Sequence, residues 1–113
     1  MGVFDNNISK PLSITTIGKD IKESCVLYLK EKARLYNKYG YGIPSSVDCE
    51  RVLQGVIKTK FQQKLEDAGV ILWSVAVIKK KLGNAHTSFY IEFHWWDTYS
   101  ECRKLFDYEC EII

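Results

Sequence analysis

The sequence predicts an α+β fold, with two N-terminal helices packed on one face of a three- to four-stranded antiparallel sheet. In the first half of the chain, apolar residues recur at steps of three and four, as on one side of an amphipathic helix. From Ile71 onward they recur at every second position, as in β-strands. Helices followed by strands, rather than alternating with them, are typical of a layered α+β domain.

Length and composition are those of one globular domain. The chain has 113 residues, and we expect a single domain over residues 12–113 after a flexible tail at residues 1–11. The composition is 46% hydrophobic and 27% charged, which is typical of a globular chain. A net charge of +2 does not favour a nucleic-acid partner, and without a run of 18 apolar residues we expect no membrane partner.

The first helix is predicted from Asp20 to Tyr36. Its apolar stripe has steps of three and four and consists of Ile21, Cys25, Tyr28, Leu29, Lys32 and Tyr36, with Lys32 contributing its methylenes. A short β-branched run, Leu12–Ile17, precedes the helix and predicts either a strand or a lead-in. Two glycines and a proline then end the helical pattern.

The second helix is predicted from Val47 to Asp67. Ser45 and Asp48 form an N-terminal capping pattern, and Gly69 can take the left-handed conformation that ends a helix. Gly55 lies inside this helix, where glycine costs up to about 1 kcal/mol relative to alanine. We expect Gly55 to allow close contact with another element.

Three strands follow the helices. The first, Ile71–Lys81, is apolar on both faces, which is typical of a strand covered on two sides. After a turn at Leu82–Ala85, residues 86–96 (HTSFYIEFHWW) form the second strand, which has large side chains on both faces. The third strand is predicted over Phe106–Ile113. For Thr98–Leu105 the sequence allows either a strand or a helical turn.

The second strand supplies a candidate partner-binding surface. We expect its apolar face, from Thr87 to Trp95, to pack on the helices and its mixed polar and aromatic face to point away from them. The candidate partner-binding residues are His86, Ser88, Tyr90, Glu92, His94, Trp96 and Trp73. Two or three large aromatic side chains, each of about 150–250 Å², exceed the patch that soluble monomers usually expose. We therefore expect a second chain to cover this face.

Motifs for catalysis or metal binding are absent from the sequence. It has no glycine-rich phosphate loop, no G-x-S-x-G and no H-E-x-x-H, and its four cysteines lack C-x₂-C spacing. His86 and His94 are too far apart on one strand to share a metal ion. Buried, reduced thiols are the expected state of the cysteines, although a nucleophilic pair of Cys102 with His94 stays open. We expect no enzyme activity and no cofactor.

A group of lysines is the remaining candidate. It comprises Lys58, Lys60 and Lys64 on the second helix, and Lys79, Lys80 and Lys81 at the end of the first strand. With aromatic residues nearby, such a group could bind single-stranded nucleic acid. We favour the interpretation that these lysines belong to a solvated helix face and to a strand end whose charge prevents edge pairing.

Residues 71–102, ILWSVAVIKKKLGNAHTSFYIEFHWWDTYSEC, contain a series of short motifs. In chain order these are Val75, Val77, Ile78-Lys79, Gly83, His86-Thr87 and Trp95-Trp96-Asp97. Following two helices, this series resembles the core of the Tctex-type dynein light chains. It departs from the family pattern after Asp97, where the family has two full strands and this sequence has a shorter segment.

The resemblance implies a non-enzymatic subunit of a dynein microtubule motor, in the cytoplasm and on the cytoskeleton, either in a cytoplasmic motor or in the axoneme of a cilium. Such chains form a homodimer, or a heterodimer with a related light chain, and exchange a strand. They hold an extended segment of a dynein intermediate chain along a sheet edge, which is strand addition. From the residues alone, the alternative is a small inhibitor or immunity-type protein that blocks one partner through the aromatic sheet face.

Overall fold

The computed structural model describes residues 13–82, 86–98 and 101–112, and these residues form helices packed against an antiparallel sheet. The elements are α1 (Ile14–Lys38), α2 (Ser46–Lys60), α3 (Gln62–Asp67), β1 (Leu72–Leu82), β2 (His86–Trp96) and β3 (Cys102–Glu111). The strands lie in the order β1-β2-β3. The predicted α+β class is confirmed, while the predicted tail and most of the predicted turn lie outside the described residues.

Helix α1 begins earlier than the sequence predicts. Ser13 is its N-cap, and the Ser13 Oγ accepts a hydrogen bond from the Thr16 N–H. Ile17 is buried and continues the apolar stripe of α1 by one turn toward the N-terminus. The strand alternative for Leu12–Ile17 is therefore wrong over Ile14–Ile17, because burying Ile17 on the helical stripe outweighs the modest preference of β-branched residues for strands.

The predicted second helix consists of two pieces. Ser45 caps α2 through its Oγ, which accepts from the Asp48 N–H as the capping pattern predicts. The chain leaves helical geometry at Phe61, where φ is −123° and ψ is −10°, and it resumes as α3. The Phe61 side chain is buried, which ties this interruption to the core. Gly69 has a φ of +95° after α3, which confirms the predicted stop.

The core lies between the helices and one face of the sheet. From β2 it receives Phe89, Ile91 and Phe93, all fully buried, as predicted for the helix-facing side of this strand. The Phe93 ring lies between two aromatic rings of the neighbouring strands, with centroid distances of 5.7 Å to both Trp73 and Phe106. This stack crosses all three strands and fixes the side of the sheet on which the helices pack.

Strand β3 begins at Cys102, so the segment left open is a strand over residues 102–105. The pairing of β2 with β3 shifts register after Phe93: Phe93 lies opposite Phe106, but His94 lies opposite Lys104. Leu105 is therefore the extra residue of a β-bulge. Its side chain contacts α1 at Gly18, where an added Cβ would lie only 2.7 Å from the Leu105 Cγ.

Gly55 does not have the close contact that its place inside the helix predicts. It is exposed, and an added Cβ would meet no atom within 4 Å. The close approach is made by Gly18 instead, because the bulge at Leu105 points a side chain directly at that turn of α1.

The two helical glycines give a matched test of this contact. Gly55→Ala should raise the free energy of unfolding by about 0.5–1 kcal/mol through helix propensity. Gly18→Ala gains the same propensity but must displace Leu105, and overpacking costs about 1–3 kcal/mol. Urea unfolding should therefore show Gly18→Ala to be less stable than Gly55→Ala by at least about 1 kcal/mol. Equal stabilisation by both substitutions would contradict the described packing of α1 on the bulge.

Candidate functional site

The sheet face turned away from the helices, here called the open face, contains most of the predicted partner-binding residues. Cross-strand partners share a face, as do residues two apart along a strand. The register therefore gives the open face as Leu72, Ser74, Ala76, Ile78, Lys80, Ser88, Tyr90, Glu92, His94, Trp96, Cys102, Lys104, Asp107, Glu109 and Glu111. The predicted residues from Ser88 to Trp96 are among them.

One predicted residue, Trp73, has another position. Trp73 lies on the helix-facing side, where its ring stacks on Phe93 and its Nε1–H donates to the Gln62 Oε1 at 2.8 Å. Its polar and apolar parts are thus both engaged inside the chain, and Trp73 does not belong to the open face. His86 begins β2, where it pairs with Leu82.

The helices leave the open face partly exposed. Tyr90, His94 and Trp96 are all half-buried, whereas Phe89, Ile91 and Phe93 on the opposite side of β2 are fully buried. On β1, Leu72 is 57% and Ile78 is 50% exposed, although both are large apolar residues. The sheet therefore presents aromatic and aliphatic side chains on the side that α1 and α2 do not cover.

Hydrogen bonds hold several open-face side chains in place. The Tyr90 hydroxyl donates to the Asp107 Oδ2 at 2.6 Å, and the Lys104 Nζ donates to the same oxygen at 3.0 Å. These two bonds lower the pKa of Asp107, with the bond from Tyr90 the larger cause. The same bond raises the pKa of the Tyr90 phenol, so the donor stays protonated well above neutral pH. A bonded tyrosine surrounded by charges is typical of a wet contact surface.

Charged side chains also cross the middle strand. The Lys80 Nζ lies 4.8 Å from the centre of the Tyr90 ring and 3.7 Å from Glu109 on the far strand. Ser88, opposite Lys80, is only 2% exposed, and its Oγ has no hydrogen-bond partner among the described residues. The open face is thus mixed, with charged and aromatic side chains beside Ile78 rather than an uninterrupted apolar surface.

The two edges of the sheet differ. On β1, the main-chain N–H groups of Val77 and Lys79 point away from β2 and are already bonded to side chains of α2. The Glu50 Oε2 accepts from Val77 at 3.0 Å, and the Ser46 Oγ accepts from Lys79 at 3.1 Å. Helix α2 therefore covers part of the β1 edge, whereas β3 is the last strand in the order at the other edge.

The expectation of buried thiols is confirmed for three of the four cysteines and is wrong for Cys102. All four are free; Cys25, Cys49 and Cys110 are buried and Cys102 is exposed. Burial raises the pKa of Cys25 to about 12 and that of Cys49 to about 11, which keeps both thiols protonated and unreactive near neutral pH. Cys102 lies opposite Trp96 rather than His94, and the His94 Nε2 lies 3.3 Å from Glu92.

The lysines do not form one surface. Lys80 lies on the open face, whereas Lys79 and Lys81 alternate to the other side of β1. On the helices, Lys60 lies over the Tyr28 ring at 5.1 Å. This division supports the interpretation of separate solvated charges.

Among the described residues, no three histidine, cysteine, aspartate or glutamate side chains come together as a metal site. Across these same ranges, no helix is long and apolar enough to cross a bilayer.

Several residues of this surface are missing from the sequence-based prediction. Ser46 and Glu50 act on β1 from 33 and 27 residues away, respectively, and no local pattern marks such pairs. Asp107 and Glu109 do have a local signal, because they alternate with apolar residues in FDYECE. Their place beside Tyr90 follows only from the register of β3.

Comparisons of the chain with protein-family models, with curated proteins and with solved structures gave no significant match. A role for the open face and the sheet edges must therefore come from their own geometry.

The cap from Glu50 can be tested by hydrogen exchange. Glu50→Ala leaves the Val77 N–H without its partner, so we expect a free energy of unfolding lower by about 1 kcal/mol. NMR-detected native-state exchange should speed up more at Val77 than at Ile91 in the central strand, where it should follow only the loss of global stability. Glu50→Gln keeps an acceptor oxygen and should restore most of the protection. Equal exchange at Val77 in all three proteins would show that α2 does not close this edge.

Burial of the cysteines can be tested by alkylation. When the native chain is treated with iodoacetamide at mildly alkaline pH, we expect modification at Cys102 alone, because the other thiols are buried. Peptide mass spectrometry should find the other three labelled only after unfolding in urea. A Cys102→Ser chain should take up no label while folded. Native labelling of Cys25 at a rate similar to that of Cys102 would contradict the described core.

Proposed function

We propose that this chain is a non-catalytic assembly subunit, similar in role to a Tctex-type dynein light chain. It dimerises with itself or with a related chain and holds an extended segment of a dynein intermediate chain by strand addition. The observation that carries the proposal is the sheet face that the chain's own helices leave partly exposed. A cytoplasmic or axonemal motor is the corresponding location.

The composition of the open face supports association with another chain. Leu72 and Ile78 are large apolar residues that a second chain would remove from water, at about 25 cal/mol per Å² of apolar surface. Tyr90 and Trp96 add half-buried aromatic side chains of the type enriched at protein interfaces. The bond from Tyr90 to Asp107 orders one of these side chains before any partner arrives, which lowers the entropy cost of binding.

The arrangement of helices and strands also supports the role of a motor subunit, through the resemblance to Tctex-type chains. Two helices followed by an antiparallel sheet is the arrangement that the resemblance to Tctex-type chains implies. Strand addition requires an open sheet edge with unpaired main-chain groups. The outer edge of β3 is the candidate, since α2 covers part of the other one.

A second candidate function is a small inhibitor or immunity-type protein that blocks one partner. The polar network of Tyr90, Asp107 and Lys104 favours it, because non-obligate interfaces are more polar than those of permanent dimers. Stoichiometry separates the two functions, since an inhibitor binds as one chain per target and needs no copy of itself.

Sedimentation tests the proposed dimer. At micromolar concentration the chain should sediment as a dimer, alone or with a sister chain. Ile78→Asp places a charge in the middle of the apolar part of the open face and should weaken the dimer at least about tenfold. The control is Leu27→Asp, which makes the same kind of change at a residue of α1 that is 69% exposed and should leave the dimer intact.

Co-purification from the native source then tests the motor assignment, because a motor complex is identified by the masses of its subunits. A chain that sediments as a monomer and binds no intermediate-chain segment would contradict the proposal. A single target bound by one copy of the chain would instead support the inhibitor.

A further inference from the structure

We infer that a groove on the helical layer, here called the helix groove, docks an amphipathic helix of another protein that carries acidic side chains in its first and last turns. The groove has a volume of about 380 Å³. It is lined by Tyr28 of α1 and by residues of α2 that include Arg51, Val52, Gly55, Val56 and Lys60. Because these residues all belong to helices, the helix groove is separate from the open face, and the inference goes beyond the proposed function.

Gly55 is the residue of this groove that the fold itself does not explain. It lies inside α2, where glycine is a poor helix former. It is exposed, and no atom of the described residues would lie within 4 Å of an added Cβ. Since glycine has no side chain, the backbone of another element can approach α2 more closely here than at the neighbouring residues. A partner helix that crosses α2 at Gly55 would make use of this property.

Apolar side chains lie beside Gly55 in the groove. Val52 is three residues before it and Val56 is one residue after it, and both are half-buried. A step of four places the two valines on one side of α2. From α1, Tyr28 lines the same groove and is 38% exposed. A helix that docks through an apolar face would remove these surfaces from water.

The charged residues that line the groove are cations. Arg51 and Lys60 are both exposed and lie nine residues apart on α2, which is about 14 Å along a helix. The Lys60 Nζ lies 5.1 Å from the centre of the Tyr28 ring, which places its charge over one wall of the groove. None of the described lining residues is acidic. The groove therefore favours a partner with carboxylates near both of its ends.

The groove offers side-chain packing rather than a strand ladder. Main-chain N–H groups inside α2 donate to carbonyl groups one turn earlier, so an extended segment would find no free main-chain partners along the groove. A helix satisfies its own main-chain groups and docks through side chains alone. The occupant is therefore a helix rather than an extended segment.

A second copy of this groove is not the expected occupant. Two copies laid groove to groove would bring Arg51 and Lys60 of one chain near the same cations of the other, and like charges across an interface are unfavourable. The partner helix thus belongs to a different surface. It has apolar residues at steps of three and four, and a small residue opposite Gly55.

Fluorescence anisotropy with a labelled helical peptide tests the chemistry. The probe is Glu-Glu-Leu-Ala-X-Ala-Leu-Gln-X-Leu-Glu-Glu, in which a staple between the two X residues, on the polar face, holds the helix. We expect it to bind at least about fivefold more tightly than the same peptide with glutamine in place of its four glutamates, with an affinity that falls as salt is added. Equal binding of the two peptides, or no binding of the glutamate peptide, would overturn the inference.

Substitutions at Gly55 separate docking from stability. Gly55→Ala should stabilise the fold through helix propensity but weaken the glutamate peptide about three- to fivefold, because its Cβ would lie between the two helices. Gly55→Leu should weaken it at least about tenfold. The control is Gln63→Leu, which places a leucine at an exposed residue of α3 outside the groove and should leave the affinity within about twofold. Unchanged binding by Gly55→Leu would overturn the inference.

Substitutions of the cations test the charge pattern. Arg51→Gln with Lys60→Gln should weaken the glutamate peptide about five- to tenfold. Lys19→Gln with Lys58→Gln makes the same change in net charge at exposed helical residues outside the groove, and it should leave the affinity within about twofold. Equal weakening by both pairs would show a non-specific charge effect and overturn the assignment to the helix groove.

The helix groove and the open face are tested separately. Ile78→Asp on the open face should leave the affinity for the glutamate peptide within about twofold, because that residue lies on the sheet. Loss of peptide binding in this variant would place the peptide on the open face and overturn the inference. A chain that dimerises and co-purifies with a motor, but does not prefer the glutamate peptide, would refute the inference and leave the proposed function standing.

Discussion

A sheet has two faces, and the helices of this chain cover one of them. Phe89 and Phe93 are fully buried on the covered side, while Tyr90 and Trp96 on the same strand remain partly exposed on the other. Side chains alternate along a strand, so strand β2 cannot bury both sets against one helical layer. An uncovered face with large side chains is the constraint from which the proposed association follows.

The open face and the β1 edge of the sheet are protected in different ways. On the open face, the hydrogen bond from Tyr90 to Asp107 holds one partly exposed aromatic side chain in place. At the β1 edge, α2 supplies Glu50 and Ser46 to main-chain groups that would otherwise be free to pair. The open face is thus the part of the sheet that we propose another chain covers.

Residue patterns predict the fold class and the two sides of β2, because burial imposes periods of 3.6 and 2 on the sequence. Such patterns do not predict features that depend on contacts between residues far apart in the sequence. The bulge at Leu105 switches the open face from even-numbered residues such as Lys104 to odd-numbered ones such as Asp107, so the alternation of β3 is broken at its start. The break at Phe61 and the contact of Gly18 with Leu105 likewise depend on the assembled core. Only the part of the candidate surface that lies on β2 could be predicted from the sequence. The residues beside it on β1 and β3 follow from the strand register, which local patterns do not give.

Hydroxyl-radical footprinting across a dilution series tests the central claim, that another chain covers the open face, most directly. With increasing protein concentration, oxidation of Tyr90, His94 and Trp96 should fall, whereas that of the exposed Tyr39 and Tyr41 at the end of α1 should stay constant and serve as an internal reference. Oxidation of the open-face residues that is independent of concentration, in the purified chain and in the presence of its native partners, would contradict the account.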